Sequence, residues 1–225
     1  MKHRFVSALA LAATAGALSL LTGCNNVATT SSGGGSYNPV AYKPHNAGAV
    51  RVKVSLSKQQ VYVMEGTKPL LVAACNVGIP TKPTPKGNFS IYNKIQRKRS
   101  GSYGFYKNGD TVTPAEAGKG KGQYIGYPMG YWCEFSPAYG FHQGYVWPIP
   151  RSHGCIRLHK NVASKFFALV HSGTPVNIAD SQPEDATIGA NVQRPSDYQD
   201  ADPAPSYTAS DRVFDSPPGG GLTPY

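Results

Sequence analysis

At 225 residues, the chain can hold one sizeable domain or two small ones, because domains typically contain about 100 to 200 residues. Its formal net charge of +10 is unevenly distributed: the first 178 residues contain 20 basic and 4 acidic residues, and eight acids with two arginines follow. Such a basic domain favours polyanionic surroundings. The export signal described next argues against nucleic acid and favours anionic extracellular polymers or lipid headgroups; charge that serves only solubility is the alternative.

The N-terminal 23 residues have the layout of a secretory signal peptide. Basic and titratable residues at positions 2–4 precede an apolar run at 8–21, which is short for a transmembrane helix of ~20 residues. The run leads into a Leu-Thr-Gly-Cys sequence ending at Cys24, which resembles the bacterial lipobox. That resemblance implies that Cys24 is lipidated, becomes the mature N-terminus and anchors an exported protein to a lipid membrane. An ordinary signal peptide with a chance cysteine is the alternative.

The residue after the lipobox cysteine bears on the membrane that holds the anchor. In many Gram-negative bacteria an aspartate at this position signals retention at the inner membrane. Asn25 stands there in this chain. We therefore expect the periplasmic face of the outer membrane rather than the inner membrane.

Composition divides the rest of the chain into three parts. Residues 24–48 consist largely of Ser, Gly, Thr, Asn and Pro, which predicts a flexible tether. Residues 179–225 are acidic and rich in Pro, Asp, Ser and Gly, and we predict a disordered tail there. The intervening residues 49–178 are enough for one packed domain.

The first half of this domain shows the patterns of β-strands. Alternation or short apolar runs predict four strands in an antiparallel meander, at 50–54, 60–64, 70–77 and 89–91. A loop at 81–87 separates the last two. Residues 97–123 carry many Gly and Lys residues with little periodicity, so we expect a long surface excursion of the kind that often serves as a functional lid.

The second half predicts a hairpin, one helix and a closing strand. Residues 131–135 and 139–142 form the hairpin, which places His142 near a strand end. Gly173 ends the helix, and 174–178 form the last strand. Four apolar residues share one helix face at 3.6-residue spacing: Val162, Phe166, Leu169 and Val170. The fold class is therefore mainly β, with one or two short helices, flanked by a disordered tether and tail.

The most specific feature is the sequence Ser-His-Gly-Cys-Ile-Arg at residues 152–157. A cysteine attacks as the thiolate, so it needs a lowered pKa and a base within hydrogen-bond reach, and His142 and His153 are near in sequence. Gly154 allows close approach of the backbone to Cys155, and neighbouring N–H groups could stabilise an oxyanion. The residue types alone therefore predict an acyl-transfer site.

Across residues 49–178 the domain resembles the L,D-transpeptidase catalytic domain of the YkuD type. The matching features are the opening pair of strands, the Thr-Lys-Pro-Thr-Pro-Lys-Gly-Asn-Phe sequence at 81–89, an upstream histidine, and Ser-His-Gly-Cys-Ile-Arg. The resemblance implies a YkuD-like β-sandwich or meander. It also implies an enzyme that acts on peptidoglycan stem peptides through a cysteine thioester and that requires no cofactor or metal.

The resemblance also implies roles for individual residues. Cys155 would be the nucleophile and His142 its base, with His142 oriented by the backbone carbonyl of Gln143. Arg157 would pair with a stem-peptide carboxylate, to which its planar fork is suited. The remaining residues of the motif would shape the pocket and its oxyanion-binding groups: Ser152, His153 and Gly154. Only nine residues separate His142 from Ser152, fewer than is usual in the family, so the loop on the acceptor side is shortened.

Three functions remain open at this stage. The acyl-enzyme could pass a tetrapeptide stem to an amine, either of another stem in a 3-3 crosslink or of a wall-anchored protein. Water could instead resolve it, giving an L,D-carboxypeptidase or hydrolase. A catalytically inactive wall-binding lipoprotein is the third alternative. Papain-like wall amidases are disfavoured, since their cysteine precedes the histidine along the chain.

Other histidines and cysteines have less specific readings. A zinc site built from His142, His153 and Cys155 is conceivable, but no fourth ligand stands out and a metal would quench the nucleophile. Cys75 and Cys133 could form a disulfide or remain buried thiols. Histidines 159 and 171 are interpreted as solvated residues that flank the helix.

Overall fold

The computed structural model describes residues 37–215 and 220–224. The predicted signal peptide, Cys24 and tether residues 25–36 lie outside these ranges. The rest of the predicted flexible tether, residues 37–48, is packed against the domain: Ala41 is buried and pairs with Leu71, and the Tyr37 hydroxyl accepts the N–H of Ala74. Two α-helices are present, α1 (Lys160–Leu169) and α2 (Pro205–Ala209). Ten strands form one sheet: β1 Val50–Ser55, β2 Gln60–Glu65, β3 Lys68–Asn76, β4 Gly87–Ser90, β5 Asn93–Asn108, β6 Thr111–Glu116, β7 Gln123–Ser136, β8 Tyr139–Gln143, β9 Ile156–Leu158 and β10 Pro175–Ala179.

The strand order in the sheet is β4-β10-β1-β2-β3-β9-β8-β7-β5-β6. Two neighbouring pairs are parallel, β1 with β10 and β8 with β9, and the others are antiparallel. The first and last strands of the domain, β1 and β10, are thus neighbours in the sheet. The predicted mainly β fold with one or two short helices is confirmed. The fourth strand of the predicted meander is an exception, because β4 pairs with β10 and not with β3. In the described part of the chain, no helix is both long and apolar enough to cross a bilayer.

Helix α1 packs on β7 and β8 through the face predicted from its spacing. Val162, Phe166 and Leu169 are all buried, and the Phe166 ring lies 4.5 Å from the ring of Phe141 in β8. At the helix end, the ammonium group of Lys94 donates hydrogen bonds to the last carbonyls. A cation at this end complements the helix dipole, so one side chain both satisfies the carbonyls and fixes where the helix stops.

The segment at 97–123 is not the irregular excursion that its composition predicted. It lies mostly in β5, β6 and the start of β7, which form a long antiparallel extension of the sheet. The glycines that obscured the pattern mark close contact between strands: a Cβ built on Gly104 would lie 2.3 Å from the carbonyl oxygen of Ile125. Aromatic pairs across the strands, such as Tyr106 with Tyr124, supply the packing that glycine lacks.

The C-terminal segment, residues 180–215, is folded against the domain and not disordered as predicted. It contains α2 and three 3-10 turns, at Pro183–Ala186, Asp197–Gln199 and Asp211–Phe214. Residues 220–224 pair with the segment that precedes β1, where Thr223 forms a bridge with Tyr42. Acidic residues of the segment at 180–215 form four ion pairs with Lys and Arg residues of the domain: Lys53 with Glu184, Lys86 with Asp180, Arg97 with Asp215, and Arg99 with Asp211.

Arg194 attaches the C-terminal segment to the domain through several hydrogen bonds to backbone carbonyls. One nitrogen of the Arg194 guanidinium donates to the carbonyls of Cys75 and Trp147, both at 3.1 Å. The other donates to the carbonyl of Lys58 at 3.1 Å. Composition could not reveal this, because the partners are backbone carbonyls that carry no signal in the sequence.

His159 was interpreted as solvated, and that interpretation is wrong. Its side chain is 3% exposed, its Nδ1 accepts the N–H of Asn161 and caps α1, and its Nε2 lies 3.2 Å from Asp197 Oδ2. The C-terminal segment therefore supplies the buried partner of the residue that begins the helix after the Ser-His-Gly-Cys motif.

We predict that Arg194→Ala destabilises the purified full chain by about 2 kcal/mol, because it leaves several backbone carbonyls without a donor. For a chain of this size that corresponds to a fall in Tm of roughly 4 to 8 °C, measurable by scanning calorimetry. The matched control is Arg212→Ala, since the Arg212 side chain is exposed and forms no hydrogen bond or ion pair within the described residues. Equal melting temperatures for the two variants would contradict the prediction.

Candidate active site

The Ser-His-Gly-Cys motif forms a tight turn just before β9. The buried Ser152 hydroxyl accepts the N–H of Gly154 at 3.1 Å and donates to the carbonyl of Cys155 at 2.6 Å. Gly154 has a φ of 105°, and a Cβ there would lie 2.4 Å from the ring of Tyr139. Both features require glycine. Ser152 and Gly154 therefore act on the shape of the turn that presents Cys155.

The segment at 81–87 holds this turn from the other side. Ser152 pairs with Gly78: its N–H donates to the Val77 carbonyl and its carbonyl accepts the N–H of Ile79, both at 3.0 Å. The N–H of Gly78 donates in turn to the Thr84 hydroxyl at 2.9 Å. A Cβ on Gly78 would lie 2.3 Å from the carbonyl of Lys82. The Thr-Lys-Pro-Thr-Pro sequence thus packs directly under the strand end that carries the Ser-His-Gly-Cys turn.

Strand pairing brings the cysteine and the upstream histidine to the same place. In the parallel β8–β9 pair, Phe141 is aligned with Ile156 and His142 with Arg157. Because side chains alternate along a strand, Ile156 faces the core and Arg157 faces the opposite side. Cys155 directly precedes β9, two residues from Arg157. The predicted nucleophile, base and arginine therefore lie on the same side of this pair.

The Cys155 thiol is half-buried against the turn between β7 and β8. Its Sγ lies 3.7 Å from the carbonyl oxygen of Ala138. Burial raises the pKa of the thiol, while the backbone N–H of Gly140 and the charge of Arg157 lower it to a smaller extent. The net direction is upward, opposite to the lowered pKa expected from the sequence, so the resting cysteine is a neutral thiol that needs a base to react.

His142 has the properties of that base. Its Nδ1 lies 2.8 Å from the carbonyl oxygen of Gln143, the contact that the family resemblance implies. A carbonyl accepts only from a protonated nitrogen, so Nδ1 carries the proton and Nε2 presents a lone pair. Burial, with a contribution from the charge of Arg157, lowers the pKa of His142 to about 4. The imidazole is therefore neutral at neutral pH.

Glu134 holds the turn at Ala138 beside the Cys155 thiol, and sequence reasoning did not identify it. Ala138 has a φ of 66°, an uncommon conformation for a residue other than glycine. The Glu134 carboxylate accepts the Ala138 N–H at 3.3 Å and also accepts from Trp132 and Asn93. Glu134 is the single acid between residues 117 and 179. That isolation in an otherwise basic domain is the signal that could have pointed to it.

His153 lies away from the His142 side of the site and is exposed. Its ring is 4.7 Å from that of Tyr103 in β5, and Lys82 donates to the Tyr103 hydroxyl at 3.0 Å. Burial, followed by the charges of Lys82 and Arg157, lowers the pKa of His153. These contacts join the β5–β6 extension to the Ser-His-Gly-Cys turn, which gives His153 a packing position. No sequence pattern identified Tyr103.

Arg157 provides a positive charge that no described acid neutralises. Its side chain is half-buried, and within residues 37–215 and 220–224 it forms no ion pair or hydrogen bond. A Cβ built on Gly144 would lie 3.2 Å from its Cδ, so the stem of the arginine packs against the loop after β8. A half-buried guanidinium without a protein partner is suited to an anionic ligand.

The other described cysteines differ from Cys155 in accessibility. Cys75 and Cys133 are free and fully buried, so the alternative of a disulfide between them is not realised. Burial raises the pKa of each thiol to about 12. Of the three described cysteines, Cys155 alone can reach a substrate. Within the described ranges no three His, Cys, Asp or Glu side chains are grouped so that they could hold a metal ion.

The family model of the YkuD L,D-transpeptidase catalytic domain matches residues 49–178, more than half of the chain. The chain belongs to this family. Similar solved structures include an L,D-transpeptidase from Stackebrandtia nassauensis, 20% identical over 64% of this chain and 60% of that one, with a TM-score of 0.44. L,D-transpeptidase 1 of Mycobacterium tuberculosis is 22% identical over 58% of this chain and 61% of that one, with a TM-score of 0.43.

A C442S mutant of the Enterococcus faecium L,D-transpeptidase is 27% identical, over 58% of this chain and 50% of its own length, with a TM-score of 0.43. The chain thus spans about half to three fifths of the solved L,D-transpeptidases that it matches. No curated protein matches it. The family assignment therefore rests on the match at 49–178, which coincides with the catalytic domain boundaries predicted from the sequence.

Because the pKa of His142 is lowered, we predict that the free energy of unfolding of this YkuD domain depends on pH. An unfolded chain protonates this histidine below its ordinary pKa of 6.5, whereas the folded chain protonates it only near 4. Between these values the unfolded state binds more protons, so the free energy of unfolding falls as pH drops from 6.5 to 4, by up to about 3 kcal/mol. His142→Asn should lack this component, as measured by urea denaturation across that range. Identical pH profiles for both proteins would contradict the burial of a neutral His142.

Proposed function

We propose that the chain is a peptidoglycan L,D-transpeptidase that acts through a thioester on Cys155. The observation that carries the proposal is the arrangement around the β8–β9 pair. A reachable thiol stands at the end of one strand, and a neutral imidazole with a fixed tautomer stands on the neighbouring strand. That combination is the requirement for nucleophilic acyl transfer by cysteine.

Acylation begins when the Cys155 thiol attacks the carbonyl carbon that precedes the terminal D-residue of a tetrapeptide stem. His142 Nε2 takes the thiol proton as the carbon–sulfur bond forms. When the tetrahedral intermediate collapses, the carbon–nitrogen bond breaks and His142 returns the proton to the leaving amine. The stem remains as a thioester. An acceptor amine then attacks the thioester carbon and His142 removes its proton. The carbon–sulfur bond breaks as the new amide forms, and His142 returns the proton to the Cys155 thiolate.

The oxyanion of this intermediate needs donors that the fold has not already used. The N–H of Gly154 is committed to the Ser152 hydroxyl. The N–H of Cys155 donates to no backbone carbonyl among the described residues, and it adjoins the attacking sulfur. We assign the Cys155 N–H as an oxyanion donor, since fixed backbone donors in a partly buried site stabilise developing charge effectively.

Arg157 is proposed to bind a carboxylate of the stem peptide. Its charge is unpaired within the described residues, and it lies two positions along the chain from the nucleophile. A bidentate guanidinium–carboxylate pair fixes both the position and the orientation of the bound peptide. Restricting the scissile bond in this way contributes to the rate independently of the chemistry at sulfur.

Cys155→Ala is predicted to abolish conversion of purified tetrapeptide muropeptides while the protein remains folded. His142→Ala is predicted to reduce acylation by roughly 100-fold or more, the usual scale for loss of general acid–base catalysis. Mass spectrometry of the products and of the intact protein measures both effects. Cys133→Ala is the matched control, because this thiol is buried away from substrate.

An acyl adduct on the Cys155→Ala protein would reject the nucleophile. If wild-type acyl-enzyme forms but yields only shortened stems and no product joined to an amine, the transferase proposal fails in favour of a carboxypeptidase.

We also propose that Cys24 carries a lipid that holds the enzyme at the periplasmic face of the outer membrane, close to the wall. The support is the signal layout and the sequence ending at Cys24. Cys24→Ala should release the protein from membranes, as judged by fractionation and a high-salt wash, whereas Cys133→Ala should not. A Cys24→Ala protein that resists the wash would indicate a different anchor.

A further inference from the structure

The carboxylate of Glu134, on β7, accepts four hydrogen bonds. The side-chain nitrogens of Asn93 and Trp132 donate to its Oε2 at 3.1 and 3.3 Å. The backbone N–H of Ala138 donates to its Oε1 at 3.3 Å, and the Tyr92 hydroxyl also donates. Burial raises the pKa of this carboxyl, but the hydrogen bonds outweigh burial and hold the pKa below its ordinary value of 4.5. Glu134 is therefore ionised at neutral pH.

One of these hydrogen bonds holds the turn against which the Cys155 thiol lies. Ala138, in that turn, has a φ of 66°, which is strained for a residue other than glycine. The bond from its N–H to Glu134 offsets that strain. The turn presents two backbone groups to the sulfur: the Ala138 carbonyl oxygen lies 3.7 Å from Sγ, and the N–H of Gly140 donates to Sγ. Glu134 therefore fixes the backbone groups that contact the nucleophile.

A second hydrogen bond holds the indole that packs on the base. The Trp132 side chain is 1% exposed, and its ring centroid lies 6.2 Å from that of the His142 imidazole. A Cβ built on Gly140 would lie 2.9 Å from the same indole, so the ring also contacts the turn beside the thiol. Because its N–H is bound to Glu134, the indole is held in one orientation. One carboxylate thus connects the position of the thiol with that of the imidazole.

Glu134 also acts on Cys155 through its charge. Burial has the largest effect on the pKa of the thiol and raises it; the Gly140 N–H and the charge of Arg157 lower it, and the charge of Glu134 raises it. Glu134 and Arg157 therefore have opposite effects at the sulfur. Other charged or titratable side chains around the site stay unchanged in the variants described below: Lys82, Lys98, Tyr139, His142, Arg151 and His153.

We propose that Glu134 is a positioning residue of the acyl-transfer reaction: its carboxylate holds the turn on Cys155 and the indole on His142, and its charge opposes formation of the thiolate. The two effects on the thiolate have opposite signs. The turn that Glu134 holds brings the Gly140 N–H to the sulfur and stabilises the thiolate, whereas the negative charge destabilises it. This inference rests on the proposed function, because it concerns the nucleophile and base of that reaction.

The test measures the alkylation of Cys155 by iodoacetamide as a function of pH in the full-length chain. The thiolate displaces iodide as the sulfur–carbon bond forms, so the rate follows the thiolate population and needs no stem peptide. Mass spectrometry of the peptide that contains Cys155 separates this reaction from that of other cysteines. Glu65→Gln is the matched control, because Glu65 also accepts two backbone N–H groups, and three strands separate β2 from β7.

Two substitutions of Glu134 separate its charge from its hydrogen bonds. Glu134→Gln keeps an oxygen for the Ala138 N–H but removes the charge, so the midpoint of the rate–pH curve should fall by about half a pH unit. Glu134→Asp keeps the charge but is one methylene too short to reach that N–H. The contact from Gly140 is then weakened, and the midpoint should rise. A residue that served folding alone would give the two variants shifts of the same sign, or none.

Shifts of the same sign, or shifts no larger than that of Glu65→Gln, would overturn the proposal. If circular dichroism shows that Glu134→Gln does not fold, the same substitution is combined with Ala138→Gly, because glycine adopts a positive φ without strain. The midpoint of this double variant should lie below that of Ala138→Gly alone. Equal midpoints for these two proteins would also overturn the proposal.

A parallel assay with tetrapeptide muropeptides separates this inference from the proposed function. If the two Glu134 variants shift the alkylation midpoint in opposite directions but wild type converts no stem, the positioning role stands and the proposed function fails. If wild type converts stems but the midpoints do not shift in opposite directions, the proposed function stands and the positioning role of Glu134 is rejected.

Discussion

The structure of the site depends on the parallel pairing of β8 with β9. Parallel neighbours cannot be joined by a tight turn and ordinarily need a crossover of a dozen or more residues. Here β8 ends at Gln143 and β9 begins at Ile156, so the crossover is close to that minimum and contains no helix. Its backbone groups cannot pair with one another as they would in a helix, so other parts of the chain must satisfy them.

Three side chains from distant positions meet this requirement. Gln59 donates to the carbonyl of Pro148, Asn76 donates to those of Trp147 and Ile149, and Arg194 donates to that of Trp147. Tyr198 and Arg151 then enclose the Trp147 ring, at 4.9 and 4.1 Å. The C-terminal segment is therefore part of the support of the loop between β8 and β9, which explains why an acidic, Pro-rich sequence is folded.

The sequence predicted those features in which local pattern and tertiary structure agree. Alternation located β1 and β2, the 3.6-residue spacing located α1, and the Ser-His-Gly-Cys sequence located Cys155. It failed where structure depends on partners that sequence does not display. Arg194 donates to backbone carbonyls, which the sequence does not distinguish. His159 is buried and paired with Asp197, 38 positions away, and Gly104 is required where two strands lie in close contact. The role of Glu134 was missed for the same reason, because it holds the turn at Ala138 through a backbone N–H.

Through the carboxylate proposed to bind it, Arg157 would link substrate binding to the reactivity of Cys155 and His142. Its charge lowers the pKa of Cys155, which favours the thiolate, but it also lowers the pKa of His142, which weakens the base. A carboxylate bound to Arg157 would cancel much of that field and raise the basicity of His142 at the moment when a stem occupies the site. Binding would also exclude water, which strengthens the remaining electrostatic interactions. On this proposal the thiol is neutral before the stem binds, and the bound carboxylate completes the environment in which the proton moves.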